Sequence, residues 1–173
     1  MGEERYLAAA RDALGFEHAA YCDRLGTWPD LRASARPTRA MHGLCSGAPG
    51  VGLALLRCQG ELRRMGSATD PTLGEDIKRA IGACLARPPL FRDHLCCGNS
   101  AAADLLLETG RSDCRKAAGA LMGTAARRGW RLLPPHVRQS FCPDLWYGVA
   151  GVGYELLRLA DPEGVRPVLF GAD

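Results

Sequence analysis

Ser46-Gly47-Ala48-Pro49-Gly50-Val51-Gly52-Leu53 and Tyr147-Gly148-Val149-Ala150-Gly151-Val152-Gly153-Tyr154 are two copies of one pattern. The first runs on into Ala54-Leu55-Leu56 and the second into Glu155-Leu156-Leu157. Between them, Cys97-Gly98-Asn99-Ser100-Ala101-Ala102 leads to Leu105-Leu106. The leading glycines, Gly47, Gly98 and Gly148, stand 51 and 50 residues apart. A period near 50 residues with room for two helices per period indicates a repeated helical hairpin. Each unit opens with a Gly-rich turn and enters a helix of small, then large, apolar residues. Small residues at a helix start let neighbouring helices approach closely. Any one of these glycines, taken singly, reads as an ordinary tight turn. Three copies in register are the stronger signal.

The intervening segments carry helical spacing of their own. Leu73, Ile77, Ile81 and Leu85 recur every fourth residue. Thr72 and Glu75 form a capping box at the start of that stripe, and Pro88-Pro89 lie just past its end. Cys114, Ala118, Leu121, Met122 and Ala125 make a second stripe that ends near Gly129. Leu7, Ala10 and Leu14 predict a first helix over about 4–24. Loops are expected at Thr27-Trp28-Pro29-Asp30, Pro37, Pro88-Pro89 and Pro134-Pro135. Alanine and leucine dominate while valine and isoleucine are scarce, which favours helix over strand. The fold class is therefore all-α, with about three helical hairpins.

The 173 residues suffice for one domain with a core, and 47% are hydrophobic and 24% charged. A net charge of +3 from 22 basic and 19 acidic residues is too balanced for a nucleic-acid binder, and no basic stripe appears. No apolar run nears the ~18 residues a membrane span requires, so no membrane partner is expected. Met1-Gly2-Glu3-Glu4-Arg5 opens with charge and carries no apolar signal core, which places the chain in the cytoplasm.

Eight cysteines are many for such a chain. A reducing cytosol argues against disulfides and leaves metal binding or burial. Cys45 stands just before the first Gly-rich turn, and Cys96 and Cys97 just before the second. If the hairpins stack as equivalents, these turns share one end of the molecule and three thiols converge. The third repeat carries Trp146 and Tyr147 at that place, so the cluster stops at three. Three protein ligands leave a tetrahedral position open, as in catalytic zinc sites. Cys22, Cys58, Cys84 and Cys114 fall within or at the ends of helices and read as core residues. Cys142, beside Pro143, reads as spare. From position alone, Cys45, Cys96 and Cys97 are as readily free thiols as ligands.

The same residues carry a family resemblance over nearly the whole chain. His42-Gly43-Leu44-Cys45-Ser46-Gly47-Ala48-Pro49-Gly50-Val51-Gly52-Leu53 resembles the Trp-Cys-x-Gly-Ala-Pro-Gly-Ile-Gly-Leu motif of LanC-like lanthipeptide cyclases. His94-Leu95-Cys96-Cys97-Gly98-Asn99 resembles their Cys-His-Gly motif, with Cys97 in place of the usual histidine. Trp28-Pro29-Asp30-Leu31-Arg32 resembles the segment before the first motif, and Tyr147 to Pro162 resembles the closing repeat. The chain is most similar to the C-terminal part of the cyclase domain in class II synthetases, the LanM type. The resemblance implies that residues 1–173 form an incomplete α/α toroid, with Zn2+ held by Cys45, Cys96 and Cys97. It implies addition of a peptide cysteine thiolate to dehydroalanine or dehydrobutyrine, giving lanthionine or methyllanthionine rings in lantibiotic biosynthesis. Three anionic sulfur ligands should make the bound thiolate more nucleophilic than a site containing histidine would. The implied partners are a dehydrated precursor peptide and the N-terminal part of a synthetase.

The departures define the alternatives. The family's toroid has roughly seven hairpins, and its proton-handling histidine falls in one upstream of those matched here. A family arginine before the first zinc cysteine falls at Met41, and Arg39 is two positions off. His42 and His94 flank the ligands and could donate hydrogen bonds or carry protons, although packing is the plainer role for each. The chain thus reads as a zinc-dependent cyclase fragment that is inactive by itself. Its alternatives are a non-catalytic zinc-binding remnant, a peptide-binding module, and a structural fragment with a vestigial site.

Overall fold

A computed structural model describes residues 2–32, 40–66, 71–132 and 141–170. Pro37, Arg39 and Pro134-Pro135 lie outside the described residues. Among the described residues the chain is all-helical, with six α-helices and no strand: α1 (Gly2–Ala20), α2 (Ala48–Arg64), α3 (Pro71–Ala86), α4 (Asn99–Glu108), α5 (Ser112–Arg128) and α6 (Val149–Ala160). A short 3₁₀ turn, Val168–Phe170, follows. No helix of the described residues is long and apolar enough to cross a membrane.

The three Gly-rich turns start α2, α4 and α6, as the repeat requires. α2 pairs with α3 and α4 with α5 as antiparallel hairpins. α4 also packs between α2 and α6, so these three helices form an inner row. α1 rests on α3 in an outer row. The result is an arc of an α/α toroid. Gly52 shows why small residues open each inner helix. A Cβ there would come within 2.7 Å of Leu105 Cδ2 and 2.8 Å of Ala80 Cβ, so three helices meet where only hydrogen fits. The core is built from Leu53 and Leu55 of α2, Leu73, Ile77 and Ile81 of α3, Leu105 and Leu106 of α4, and Met122 of α5.

Three local expectations need correction. α1 ends at Ala20, not near 24, because the backbone reverses at once: Cys22 O accepts the N–H groups of Leu25 and Gly26, and Gly26 has φ 61°. α3 begins at Pro71, so Thr72 lies inside the first turn and does not cap it. Proline suits that position because the first-turn N–H has no helical partner to lose. Leu85 is 44% exposed, while Cys84 is 3% exposed and completes the stripe. A spacing of four drifts by about 40° per step on a helix of 3.6 residues per turn. Three steps carry Leu85 off the buried face and bring position 84 onto it.

α1 is held to the arc by specific contacts. His18 Nδ1 meets Asp76 Oδ2 of α3 at 2.9 Å, and the Trp28 indole N–H donates to Glu17 O at 2.7 Å. Trp28 also packs edge-on against Tyr21, with centroids 5.0 Å apart. Between α1 and α2 an open apolar groove of about 930 Å³ remains.

Candidate metal centre

The turns before α2, α4 and α6 lie side by side at one end of the arc, joined through the backbone. Leu44 N–H donates to Cys96 O at 2.6 Å, and Cys96 N–H donates to Trp146 O at 2.9 Å. Each turn closes on itself. Gly43 N–H donates to Ser46 O at 2.8 Å, and Gly47 takes a φ of 108° that brings its α-carbon against the Met41 carbonyl. A side chain at Gly47 would meet both steric penalties at once. In the third turn Asp144 Oδ1 accepts the N–H groups of Trp146 and Tyr147 at 2.7 and 2.8 Å.

This stitching brings Cys45, Cys96 and Cys97 together. Cys45 Sγ lies 3.1 Å from Cys97 Sγ, Cys96 Sγ lies 3.3 Å from Cys97 Sγ, and all three sulfurs fall within 4.8 Å of one another. These separations are far longer than the ~2.05 Å of a disulfide. Three sulfurs each ~2.3 Å from one zinc ion stand roughly 3.8 Å apart, so the spacing fits a shared ion. Among the described residues this is the only cluster of three or more His, Cys, Asp or Glu side chains with metal-ligand spacing. Cys96 is buried, Cys97 half-buried and Cys45 exposed, so the cluster is rooted on one side and open on the other.

The thiols do not share one proton affinity. Burial acts to raise Cys45, but hydrogen bonds from Cys97, Cys96 and Ser46 outweigh it and hold that thiol below its ordinary value. Burial, together with hydrogen bonds and charge from Cys45 and Cys96, pushes Cys97 well above its ordinary value. Cys45 is thus the readier of these two thiols to lose its proton. A metal ion bound by all three sulfurs would favour their thiolate forms.

The structure places both flanking histidines. His94 is buried, and its Nδ1 accepts the Cys97 N–H at 3.1 Å. Burial, and then the charge of Arg92, holds it below the usual histidine range. Its job is therefore to fix the Cys97 backbone as a neutral ring. His42 is likewise kept neutral, by burial and by Arg87, and its Nδ1 has no partner among the described residues. Met41 stands where the family's arginine would fall, and its carbonyl accepts the Thr27 hydroxyl at 3.3 Å.

Two neighbours of the thiols had no role assigned from the sequence. Tyr147 OH donates to Cys96 Sγ at 3.5 Å, and its ring lies 5.1 Å from that of His94. Hydrogen bonding to Cys96, with the charge of Cys96 behind it, pushes the phenol up to about 12, so it remains a donor. Its position in the repeat, one residue before Gly148 as Cys97 is before Gly98, was the available signal. Arg32 is the second. It is paired with Asp30, and its charge is felt by Cys45 and Cys97. Nothing in the spacing of Trp28-Pro29-Asp30-Leu31-Arg32 foretells that approach.

The model of the lanthionine synthetase C-like protein family matches residues 1–170. The chain belongs to that family. No curated protein and no solved structure gave a match. Lanthionine synthetase C-like membership agrees with the helical arc and gives the three-cysteine cluster a context, since cyclases of this family are generally zinc-dependent.

The remaining cysteines of this lanthionine synthetase C-like chain stand away from the centre. Cys84 and Cys114 are buried, Cys22 and Cys58 half-buried, and the Cys142 thiol donates to Asp144 Oδ2 at 2.7 Å. Burial pushes Cys84 up to about 11, as befits an inert core thiol. Replacing Cys22, Cys58, Cys84 and Cys114 together by alanine or serine should leave zinc content unchanged. Each of the two buried positions should cost about 1–3 kcal/mol in unfolding free energy. Elemental analysis of the folded variant checks this, and loss of zinc from it would move the metal elsewhere.

Proposed function

We propose that the chain is the zinc-binding C-terminal arc of a LanM-type cyclase domain, and that it serves thioether ring formation in dehydrated precursor peptides. The observation that carries this reading is the convergence of Cys45, Cys96 and Cys97 with no fourth ligand of metal-binding spacing among the described residues. Zinc held by these three sulfurs would supply an open Lewis-acidic position that keeps a peptide cysteine deprotonated near neutral pH.

The chain's own residues set the stage for that addition. The exposed side of Cys45 gives a peptide access, while buried Cys96 and the His94 hydrogen bond fix the opposite side. Tyr147 holds Cys96 by its hydroxyl. In the reaction the peptide sulfur bonds to the β-carbon of dehydroalanine or dehydrobutyrine. The π electrons move toward the carbonyl, and the α-carbon then takes a proton. Delivery of that proton is where the described residues are weakest. His94 Nδ1 already accepts the Cys97 N–H, and both His94 and His42 are held neutral. That observation favours a second reading, a zinc module that binds the peptide thiol without closing the ring.

A dehydrated peptide containing one cysteine, mixed with the zinc-loaded chain, separates the readings. Proton transfer typically contributes ~10²–10⁴ in rate, so ring closure by the chain alone should be slow or undetectable. The peptide should nevertheless be retained through its thiol, and retention should vanish in a Cys96→Ala, Cys97→Ala variant. Mass spectrometry after treatment with a thiol-blocking reagent reads closure. Rapid loss of labelling would show that the chain is a complete enzyme. Equal retention of a peptide with serine for cysteine would end the thiol-binding reading altogether.

A further inference from the structure

Two of the three sulfurs come from one loop, and that loop is fastened at its base. It joins α3 to α4 and contains no helix or strand. Asn99, the first residue of α4, closes it: Asn99 Oδ1 accepts the Leu90 N–H at 2.7 Å, and Nδ2 donates to Leu90 O at 2.9 Å. Asp93 then ties the closed loop to the end of α5. Its carboxylate accepts from Arg128 Nη1 and Nη2 at 2.9 and 2.7 Å, from the Arg131 N–H at 2.9 Å, and from Asn99 Nδ2 at 2.8 Å. The Asp93 N–H donates to Arg131 O at 2.9 Å, and the Asp93 carbonyl accepts the Ser100 hydroxyl. Asp93 is fully buried.

The other two turns are built differently. The turn before α2 closes through the Gly43 N–H on Ser46 O, and the turn before α6 through Asp144 and two N–H groups of its own loop. Among the described residues, only the second turn is tied to an outer helix by a buried ion pair. Asp93 stands three residues before Cys96. The path between them has no slack, because a Cβ on Gly98 would fall 2.4 Å from His94 O and 2.7 Å from the Asp93 carbonyl carbon. His94, next to Asp93 in the chain, accepts the Cys97 N–H at 3.1 Å. A displacement at Asp93 is therefore passed on to both sulfurs.

A buried ion pair adds little stability once desolvation is counted, and its best-attested use is to fix register. A metal site needs such fixing, since its ligands must stand within about 0.5 Å of the productive arrangement. Negatively charged sulfurs also repel one another and press the loop outward. We propose that Asp93, clasped by Arg128 and Asn99, is the positioning residue of the metal centre, holding the Cys96–Cys97 turn so that both sulfurs meet Cys45 at zinc spacing. This role rests on the zinc reading and not on ring closure.

Zinc affinity of the full chain, measured by competition with a chromophoric chelator, tests the proposal together with the visible spectrum of the cobalt(II)-loaded chain. Asp93→Asn should weaken zinc binding by about tenfold to a hundredfold and alter the cobalt–thiolate bands. Adding Arg128→Met removes the stranded cation, so the double variant should regain stability without regaining affinity. Arg158→Met breaks a buried pair farther along α4. It should lose stability with zinc affinity and cobalt spectrum unchanged. Natural affinity and spectrum in the folded double variant would overturn the proposal. An equal loss of affinity in Arg158→Met would do the same, because general loosening would then suffice. A natural chain that binds no zinc would overturn the zinc reading itself, and the proposal with it.

Discussion

Arg158→Met will lower the unfolding free energy by about 3–5 kcal/mol, the effect expected when one member of a buried ion pair is removed. The Arg158 and Asp104 side chains are each 1% exposed and directly paired, and Arg158 Nη2 also reaches Glu108 Oε2 at 3.0 Å. Its Nε donates to Val165 O at 3.0 Å, which ties the segment after α6 to the same point. The pair therefore joins α6 to α4 in the middle of the inner row. Methionine fills much of the arginine's volume, so the loss reports charge and hydrogen bonding more than a cavity. It leaves the Asp104 carboxyl group buried without its cationic partner. Adding Asp104→Asn removes that stranded acid and should recover a good part of the loss. Urea unfolding followed by circular dichroism measures both variants. A single variant within 1 kcal/mol of the natural chain would show that the pair does not hold α6 in place.

Glu155→Gln will act in the opposite direction. Glu155 is fully buried on the α4 side of α6, and neither carboxylate oxygen has a partner among the described residues. Burial pushes its carboxyl from 4.5 up to about 8. The folded chain then binds a proton between those two values that the unfolded chain has released. Stability is accordingly highest below pH 4.5 as far as this group is concerned, and falls as pH rises toward 8. At about 1.4 kcal/mol per pH unit the decline amounts to several kcal/mol. The glutamine variant should lack this component and be more stable than the natural chain by roughly 2–4 kcal/mol at mildly alkaline pH. The gap should shrink toward pH 5. Parallel curves across that range would mean that Glu155 is not the buried acid described here.

Much of the arc was legible because its determinants are local. Gly47, Gly98 and Gly148 mark turns that only small residues can make, and the apolar periods after them are long enough to identify helices. The cysteine cluster was legible for a related reason: Cys45, Cys96 and Cys97 hold equivalent places in successive turns, so stacking the hairpins brings them together. What escaped depends on the third dimension. Leu85 continued a stripe on paper, but helical drift gave its place to Cys84. Thr72 and Glu75 had the residues of a capping box, yet the helix starts at Pro71, which puts Thr72 inside the first turn and Glu75 beyond it. Arg32 approaches the thiols only through the fold of the 28–32 segment against α2.

The central claim is that Cys45, Cys96 and Cys97 together hold one zinc ion with a position left open. Elemental analysis of the purified chain, alongside the Cys96→Ala, Cys97→Ala variant, tests it most directly. The account predicts close to one zinc per natural chain, and almost none in a variant that retains its helical circular dichroism. Full retention of the metal by that variant would contradict it.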